Sequence, residues 1–207
     1  MSFKIFLRVD KLLRKIKLIR IYDLIISILM IIVLSPVLLI IYVICFFESG
    51  KPLFIQERVG KNKKLFYLIK FRTMHINTPS VASHLVDTKL TTRFGRIIRF
   101  LKLDELPQFI NVIKGEMSLV GPRPCLSNQT VLIKYREMHK VFRVKPGVTG
   151  LAQIKGIDMS EPEKLAKIDN YMILNLNQID YLKYLLLTFF GKGIGDRLKI
   201  ENKIKSK

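Results

Sequence analysis

The sequence predicts a helix-rich α+β protein, with an N-terminal membrane segment ahead of a small domain that contains one β-hairpin. Three observations indicate this fold class. Residues 24–47 carry no charge, two short apolar segments flank the polar loop GKNK, and apolar residues recur at helical spacing from Thr91 onward. The boundaries that follow are residues 1–47 for the basic N-terminus and membrane segment, 48–191 for the domain, and 192–207 for a basic tail.

The composition indicates an anionic partner. The chain has 36 Lys and Arg residues against 16 Asp and Glu residues, which gives a formal net charge of +20. Such a charge favours nucleic acid, phospholipid headgroups or a phosphorylated substrate, and composition alone does not separate the three. The two cysteines, Cys45 and Cys125, provide no disulfide framework, and together with the three histidines they lack zinc-site spacing.

The uncharged segment at 24–47 is predicted to be a retained membrane anchor. About 20 apolar residues are enough for a helix to cross a bilayer, and a helix buried in a soluble core is rarely apolar on every face over this length. A basic N-terminus precedes the segment, as in a signal peptide. However, the apolar part is too long for one, and no small-residue cleavage site follows it.

Charge and proline alone leave the topology of this anchor open. Residues 1–20 contain seven basic residues and residues 48–75 contain seven more, so both flanks have the charge of a cytoplasmic segment. Pro36 removes a backbone donor in the middle of the run, and the Ser35 hydroxyl is suited to bond a freed carbonyl. The anchor is then either a re-entrant helix–break–helix that enters and leaves by one face, or a kinked helix that spans the membrane.

Basic residues precede the segment LDELPQ at 103–108. Side chains alternate along a strand, so Lys70 and Arg72 are predicted to share one face if the second hairpin strand reaches Arg72. Further basic residues form a stripe along a predicted helix: Arg93, Arg96, Arg99 and Lys102. Because proline suits the first turn of a helix, Pro107 predicts a helix that begins near Asp104.

Asp104 and Glu105 are the candidate reactive groups. Acids at a helix N-terminus commonly cap it and do nothing more. Nearby cations favour the ionised form of a carboxylate, and an ionised aspartate is also able to act as a phosphoryl nucleophile or as a magnesium ligand. The residues of this segment alone do not decide between helix capping and a catalytic or metal-binding role.

Two later motifs are candidates for phosphate binding. Arg123 lies between two prolines in GPRP, which restrict the backbone and present its planar fork at a defined angle. The same pattern also fits a surface turn with a solvated arginine. The glycine-rich segment KPGVTGLAQIKG at 145–156 fits either a backbone nest for phosphate or a pair of turns.

Four motifs together resemble those of a known family. KFRTM (70–74), LDELPQ, NVIKGEMSLVGPRP (111–124) and KPGVTGLAQIKG occur in the order and spacing of the bacterial sugar transferases. In detail the chain resembles the small monotopic polyprenyl-phosphate phosphoglycosyl transferases. The resemblance implies transfer of a sugar 1-phosphate from a UDP-sugar to polyprenyl phosphate, with release of UMP, as the first membrane step of surface glycan assembly.

The resemblance also implies roles for individual residues. Asp104 corresponds to the family's nucleophile, which forms a covalent phosphosugar intermediate, and Glu105 to the residue that assists the incoming lipid phosphate. Mg²⁺ is expected beside Asp104. The residues expected to hold phosphates are Lys70, Arg72, Arg99 and Arg123.

For the anchor, the resemblance implies the re-entrant topology. The family's membrane helix breaks at a Ser-Pro pair, so Ser35 and Pro36 are predicted to be the break. The domain is then expected on the cytoplasmic face of a bacterial inner membrane, where the polyprenyl phosphate lies in the lipid bilayer. Downstream glycosyltransferases are further expected partners, in the assembly of lipopolysaccharide, capsule or exopolysaccharide.

The chain departs from the family pattern at two positions. Lys102 stands where a small hydroxyl residue is usual, and Ile157 stands where many members have arginine. Lys155 is a candidate replacement for that charge, although a point charge does not reproduce an arginine fork. The sugar is expected to be an N-acetylated amino sugar, because the small form of the family often uses one.

Two other functions are compatible with parts of the sequence. A membrane-tethered nucleic-acid binder would need basic residues interleaved with exposed aromatics, and the aromatics here lie mostly in apolar stretches, so no nucleic-acid partner is expected. A non-catalytic scaffold of a glycan assembly complex is the alternative to an enzyme. The intact Asp104, Glu105, Lys70 and Arg123 argue against it, whereas Ile157 leaves it open.

Overall fold

The computed structural model describes residues 2–76, 78 and 90–191, with side chains from residue 18 onward. The predicted tail at 192–207 and most of a predicted polar loop at 76–88 lie outside these residues. The helix-rich α+β prediction is confirmed. The helices are α1 (Ser2–Ser49), α2 (Arg93–Phe100), α3 (Gln108–Lys114), α4 (Thr130–Met138), α5 (Leu151–Ile154), α6 (Pro162–Asn175) and α7 (Gln178–Phe189), and the strands are β1 (Leu53–Val59), β2 (Leu65–Phe71), β3 (Ser118–Val120) and β4 (Gly147–Thr149).

Helix α1 continues through Pro36, so the predicted division into two helices with a break at Ser35 and Pro36 is wrong for the secondary structure. Proline has no N–H to donate to the carbonyl four residues earlier, which is that of Ile32. Ser35 Oγ donates to this carbonyl at 2.8 Å, as the sequence predicted, so the acceptor keeps a partner. The path of the segment in a membrane stays a prediction.

Two polar residues just before the apolar part of α1 attach the helix to the domain. Arg20 donates from Nη1 to the carbonyl of Val112 at 2.6 Å and from Nη2 to that of Ile113 at 3.0 Å. These carbonyls lie in the last turn of α3, where helical acceptors lack the usual donor four residues later; the Val112 carbonyl accepts a second bond from Gly115 N at 3.0 Å. The guanidinium therefore satisfies the end of α3 and joins it to α1.

Asp23 is the second attachment and is only 2% exposed. One of its carboxylate oxygens, Oδ1, accepts three hydrogen bonds: from Ser118 Oγ at 3.0 Å, from Leu119 N at 2.8 Å and from the Tyr181 hydroxyl at 2.7 Å. A buried carboxylate is costly unless such donors surround it. Asp23 thus ties α1 to β3 and to α7 at one point.

The C-terminal end of α1 attaches to the same domain. Ile41 and Cys45 pack with Phe71 and Ile98 in one buried cluster, and the Glu48 carboxylate accepts a hydrogen bond from the Phe94 backbone at 3.1 Å. About half of the apolar side chains between the two attachments are exposed: Ile25, Ile28, Leu29, Ile32, Val33, Val37, Leu39 and Ile40. The stretch from Leu18 to Ser49 is long and apolar enough to cross a membrane.

The predicted β-hairpin is confirmed and is positioned by an asparagine of α3. Strands β1 and β2 are antiparallel, with Phe54 opposite Lys70. Asn111, which is fully buried, donates from Nδ2 to the carbonyl of Tyr67 at 2.7 Å and accepts at Oδ1 from Ile69 N at 3.0 Å. One side chain thereby serves the free edge of β2 as a neighbouring strand would, and it holds β2 beside α3.

The glycines of KPGVTGLAQIKG allow two segments to approach closely. Strands β3 and β4 pair in parallel, with Ser118 opposite Gly147. A Cβ atom added to Gly121 would lie 2.7 Å from Gly147 N, which is closer than real Cβ atoms approach backbone. Of the two interpretations of this motif, turns that pack against GPRP are therefore favoured over a phosphate nest.

The departure at Ile157 has a packing role in this chain. Ile157 is half-buried against a cluster that includes Val59, Leu132 and Leu165. Lys155, the candidate replacement for the family's arginine, is exposed. An apolar contact thus occupies the position where many family members place a charge.

We expect Asp23→Ala to lower the free energy of unfolding by about 3 kcal/mol, because it leaves the Tyr181 hydroxyl and Leu119 N buried without their acceptor. Denaturant unfolding of the full chain in detergent micelles measures this difference. Glu161→Ala is the matched control, since Glu161 forms an exposed ion pair with Lys164 and its loss should change stability by less than about 1 kcal/mol. Equal stability of the two variants would contradict the docking role of Asp23.

Candidate active site

Asp104 and Glu105 lie in a single 3₁₀ turn between α2 and α3. Lys102 adopts left-handed backbone angles (φ 58°, ψ 19°), which end the run of α2 and start this turn. Helix α3 begins at Gln108, with Pro107 as its N-cap. The prediction that the helix begins near Asp104 is therefore wrong: the dyad precedes the α-helix, because the reversal at Lys102 is followed by a tight turn before regular helix forms.

Lys102 differs from the small hydroxyl residue that is usual in the family. A residue other than glycine costs about 1 kcal/mol or more in the left-handed conformation, so the position carries some backbone strain. The lysine side chain also adds a cation next to Glu105. The departure therefore places positive charge beside the dyad.

Glu105 forms an ion pair with Arg123, whose Nη2 lies 2.9 Å from Glu105 Oε1. Both side chains are largely shielded from solvent. Burial alone would raise the pKa of Glu105, but the cations of Arg123 and Lys102 outweigh it and hold this pKa below its usual range. Glu105 is consequently ionised and already has a partner.

Asp104 is in a different electrostatic state from its neighbour. The residue is 7% exposed, and its carboxylate accepts no hydrogen bond from any residue that the structure describes. Burial, together with the adjacent Glu105 carboxylate, raises the pKa of Asp104 to about 7, even though the Lys70 ammonium opposes the rise. The site thus holds one compensated carboxylate and one that a cation or an electrophile would stabilise.

Lys70 contributes a shielded cation from the end of β2. Its ammonium lies 5.3 Å from the centre of the Phe54 ring, a cation–π contact across the hairpin. Burial lowers the pKa of Lys70 to about 8, against the attraction of Asp104. The predicted phosphate-binding role of Lys70 remains a prediction, and the structure brings its charge next to the dyad.

The other two predicted phosphate-binding residues differ in placement. Arg99 is half-buried in the last turn of α2, and its cation acts on Asp104. Arg72 lies one residue beyond the end of β2, so the strand does not reach it, but its guanidinium also lies over the Phe54 ring, as the Lys70 ammonium does. However, its Nε donates to the carbonyl of Lys51 at 2.9 Å and its Nη2 to that of Leu53 at 3.2 Å, so these two donors fix the start of the hairpin.

The turn that carries Arg123 is held by two further arginines that the sequence motifs did not identify. Arg136 of α4 donates from Nη1 to the carbonyl of Arg123 at 2.7 Å, and Arg58 of β1 donates from Nη1 to the carbonyl of Pro124 at 3.1 Å. Arg136 is itself paired with Asp169 of α6 at 2.8 Å, and both are almost fully buried. Consecutive carbonyls of GPRP are thus fixed from two sides, which sets the direction of Arg123.

Asn111 and Arg58 help to build the site, although neither of them was assigned a role from the sequence. Asn111 belongs to the NVIKGE motif, but only its contacts with β2 reveal its function. Arg58 lies in QERVG, where the polar and charged neighbours indicate a solvent-exposed strand end and give no sign that the arginine is buried. Strand alternation offered one signal, since Arg58 shares a strand face with Phe54, which lies opposite Lys70.

The donor set is consistent with a magnesium ion held largely by substrate. Within the described ranges no cluster of three His, Cys, Asp or Glu side chains is present. Mg²⁺ commonly binds through one or two carboxylates together with substrate phosphates and water. The buried Asp104 carboxylate, which lacks a hydrogen-bond donor among the described residues, fits that mode, whereas Glu105 is occupied by Arg123.

Comparisons with known proteins agree with the motif resemblance. The sequence model of the family described as bacterial sugar transferase matches residues 14–192. An uncharacterized sugar transferase of Bacillus subtilis (strain 168), EpsL, is 38% identical over 170 residues, which are 82% of this chain and 84% of that protein.

Two relatives have names that state a reaction. The undecaprenyl-phosphate galactose phosphotransferase of Salmonella typhimurium is 34% identical over 174 residues, 75% of this chain and 36% of that protein. The undecaprenyl-phosphate glucose phosphotransferase of Komagataeibacter xylinus is 39% identical over 146 residues, 66% of this chain and 27% of that protein. This chain therefore corresponds to one part of each of these longer proteins. Since the family match covers most of the chain and includes the dyad, the hairpin and the GPRP turn, the protein belongs to the bacterial sugar transferase family.

Proposed function

We propose that the protein transfers a sugar 1-phosphate from a UDP-sugar to undecaprenyl phosphate, which gives undecaprenyl-diphosphate-sugar and UMP. The observation that carries the proposal is the unequal pairing of two adjacent carboxylates. Glu105 is bound by Arg123, whereas the shielded Asp104 has no hydrogen-bond donor among the described residues. The relatives named as undecaprenyl-phosphate galactose and glucose phosphotransferases support the reaction class.

In the first half of the reaction, an ionised Asp104 oxygen attacks the phosphorus that bears the sugar. A new bond forms between this oxygen and the phosphorus, and the bond from the phosphorus to the bridging oxygen of the diphosphate breaks. UMP leaves with that electron pair, and the sugar phosphate stays on Asp104. Attack of an anion on a diphosphate meets repulsion, which the cations of Lys70, Arg99 and Arg123 reduce.

In the second half, an oxygen of the lipid phosphate attacks the same phosphorus and displaces the Asp104 carboxylate. The phosphorus–oxygen bond to the lipid phosphate forms as the bond to Asp104 breaks, so the carboxylate is regenerated. Glu105, which Arg123 keeps ionised, is the adjacent acceptor for a proton of the lipid phosphate. The two carboxylates thus have different tasks because their surroundings differ.

Magnesium is part of the proposal. The residue that would hold it is Asp104, with substrate phosphates as further ligands, because the neighbouring carboxylate is paired. When bound there, the ion would neutralise charge on the diphosphate. The chain's own contribution at this point is the shielded carboxylate and the surrounding cations.

The lipid acceptor requires a site at the membrane surface, and two features of α1 support a re-entrant anchor. Arg20 and Asp23 at one end and Cys45 and Glu48 at the other contact the same folded domain. A straight helix over that interval would be about 33 Å long, close to the thickness of a bilayer core. If this segment crossed the membrane as a straight helix, its two ends would lie on opposite sides, and a domain on one side could not contact both. We therefore place both ends at the cytoplasmic face of the inner membrane.

The donor sugar and the pathway are the least constrained parts of the proposal. We infer an N-acetylated amino sugar from the resemblance to the small form of the family, whereas the names of two relatives state galactose and glucose. A relative named as an exopolysaccharide production protein, ExoY of Sinorhizobium fredii, is 36% identical over 173 residues, which supports surface glycan assembly. Downstream glycosyltransferases are then the enzymes that extend the lipid-linked product.

We expect purified protein to form UMP and a lipid-linked product from undecaprenyl phosphate, Mg²⁺ and at least one member of a UDP-sugar panel that includes N-acetylated amino sugars, glucose and galactose. Asp104→Asn should reduce this turnover by about 10³-fold or more, because the amide is not a nucleophile. Radiolabelled UDP-sugar and thin-layer separation of lipid products measure the change. Glu105→Gln should slow turnover severely without changing the fold.

Asp180→Asn is the matched control, since Asp180 belongs to the N-terminal cap of α7 and should leave turnover within about twofold of wild type. Chelation of Mg²⁺ with EDTA should stop the wild-type reaction, and added Mg²⁺ should restore it. Wild-type turnover in Asp104→Asn would contradict the nucleophile assignment. No product from any sugar of the panel would favour the non-catalytic scaffold instead.

The re-entrant topology predicts that both termini stay inside the cell. Ser2→Cys and Ser206→Cys, made separately, should resist a membrane-impermeant maleimide in intact cells and react after lysis. The parent chain is the control, because its Cys45 and Cys125 are buried. Labelling of one terminus only in intact cells would demonstrate a spanning helix and contradict this topology.

A further inference from the structure

Arg58 is a buried cation for which the motif resemblance gives no role. It lies in β1 and is 5% exposed, on the strand face that also carries Phe54 and Gln56. The hairpin register puts Lys70 opposite Phe54, so the two basic side chains project from the same side of the sheet. A buried arginine needs hydrogen-bond acceptors or an anion to offset the loss of hydration.

Only part of the Arg58 guanidinium is satisfied by the protein. Nη2 donates to Gln56 Oε1 at 2.5 Å, and Nη1 donates to the carbonyl of Pro124 at 3.1 Å. Nε is buried and has no hydrogen-bond partner in the part of the chain that the structure describes. Arg136 Nε is also buried without a partner in this part of the chain, but Arg136 is neutralised by Asp169. Arg58 differs because no described carboxylate forms an ion pair with it and because it lines the pocket at the dyad.

The surroundings of Arg58 carry more positive than negative charge. A pocket at the dyad is lined by Arg58, Lys70, Gln108 and Arg123, together with the carboxylate of Glu105. Burial, and then the Arg123 cation, lower the pKa of Arg58 to about 10, so the two guanidiniums repel each other in the free protein. Three cations against one carboxylate favour binding of an anion, and the anionic group of the proposed substrate is a diphosphate. The free space among these side chains is about 10 Å³, so the lining side chains must move apart to admit a phosphate group.

We propose that Arg58 binds a phosphate group of the UDP-sugar through its open Nε donor, as a further substrate-binding residue beside Lys70 and Arg123. The proposal rests on the proposed function, since it takes the diphosphate of that substrate as the ligand. Gln56 and Pro124 hold the guanidinium plane, so the donor is oriented before the substrate arrives. The expected ligand chemistry is an anionic phosphate oxygen, not the nucleoside.

Binding of UDP and of uridine to the full chain in detergent micelles with Mg²⁺ tests this assignment by calorimetry. We expect Arg58→Gln to raise the Kd for UDP about tenfold or more, because one charge-assisted hydrogen bond and one cation are lost. Its Kd for uridine should not change, because uridine has no phosphate. Arg58→Lys keeps the charge without the fork and should weaken UDP binding by a smaller factor.

Arg143→Gln is the matched control, because it removes the same charge from an exposed arginine whose partner is Asn170 of α6, and its Kd for UDP should equal that of wild type. If Arg58→Gln is folded and binds UDP as tightly as wild type, the inference is wrong. Equal weakening for UDP and uridine would also overturn it, since the loss would then not depend on phosphate. A displaced turn would act through Arg123, so a double variant Arg58→Gln/Arg123→Gln that binds UDP as tightly as Arg123→Gln alone would overturn it too. If Arg58→Gln does not fold, unchanged UDP affinity in Arg58→Lys would overturn it. A wild-type chain that binds no UDP would contradict the proposed function itself.

Discussion

The ion pair between Arg123 and Glu105 gives the two adjacent carboxylates of the dyad different electrostatic surroundings. Two neighbouring acids in a shielded site repel each other, so their states separate only if their surroundings differ. Arg123 lies 2.9 Å from Glu105 and keeps it ionised, while Asp104 remains without such a partner among the described residues. The dyad therefore holds one carboxylate with a cation partner and one without such a partner among the described residues.

The direction of Arg123 depends on buried contacts from distant parts of the chain. Arg136 and Arg58 hold the carbonyls of Arg123 and Pro124, and Asp169 holds Arg136 in turn. Asn111 performs the corresponding task for Lys70, since it bonds the edge of the strand that carries the lysine. Breaking one partner of a buried pair is costly, so these contacts restrict the site to one arrangement.

The sequence identified the residues that meet at the candidate site better than the contacts that position them. Asp104, Glu105, Lys70 and Arg123 were identified because they lie in short motifs, and local alternation and proline chemistry predicted the hairpin and the Ser35 hydrogen bond. Residues that act across the chain were missed: Asp23 contacts Tyr181 158 positions away, and no local pattern encodes that distance. The start of α3 was also misplaced, because the left-handed turn at Lys102 has no glycine to mark it.

The central claim is that the sugar phosphate becomes covalently attached to Asp104. Rapid quenching of wild-type protein with UDP-sugar and Mg²⁺, without lipid acceptor, followed by peptide mass spectrometry, tests it most directly. The predicted result is a phosphosugar mass on the peptide that contains LDELPQF, absent from Asp104→Asn and lost when undecaprenyl phosphate is added. Turnover of the wild type with no adduct on that peptide, or an adduct on Glu105, would contradict the assignment.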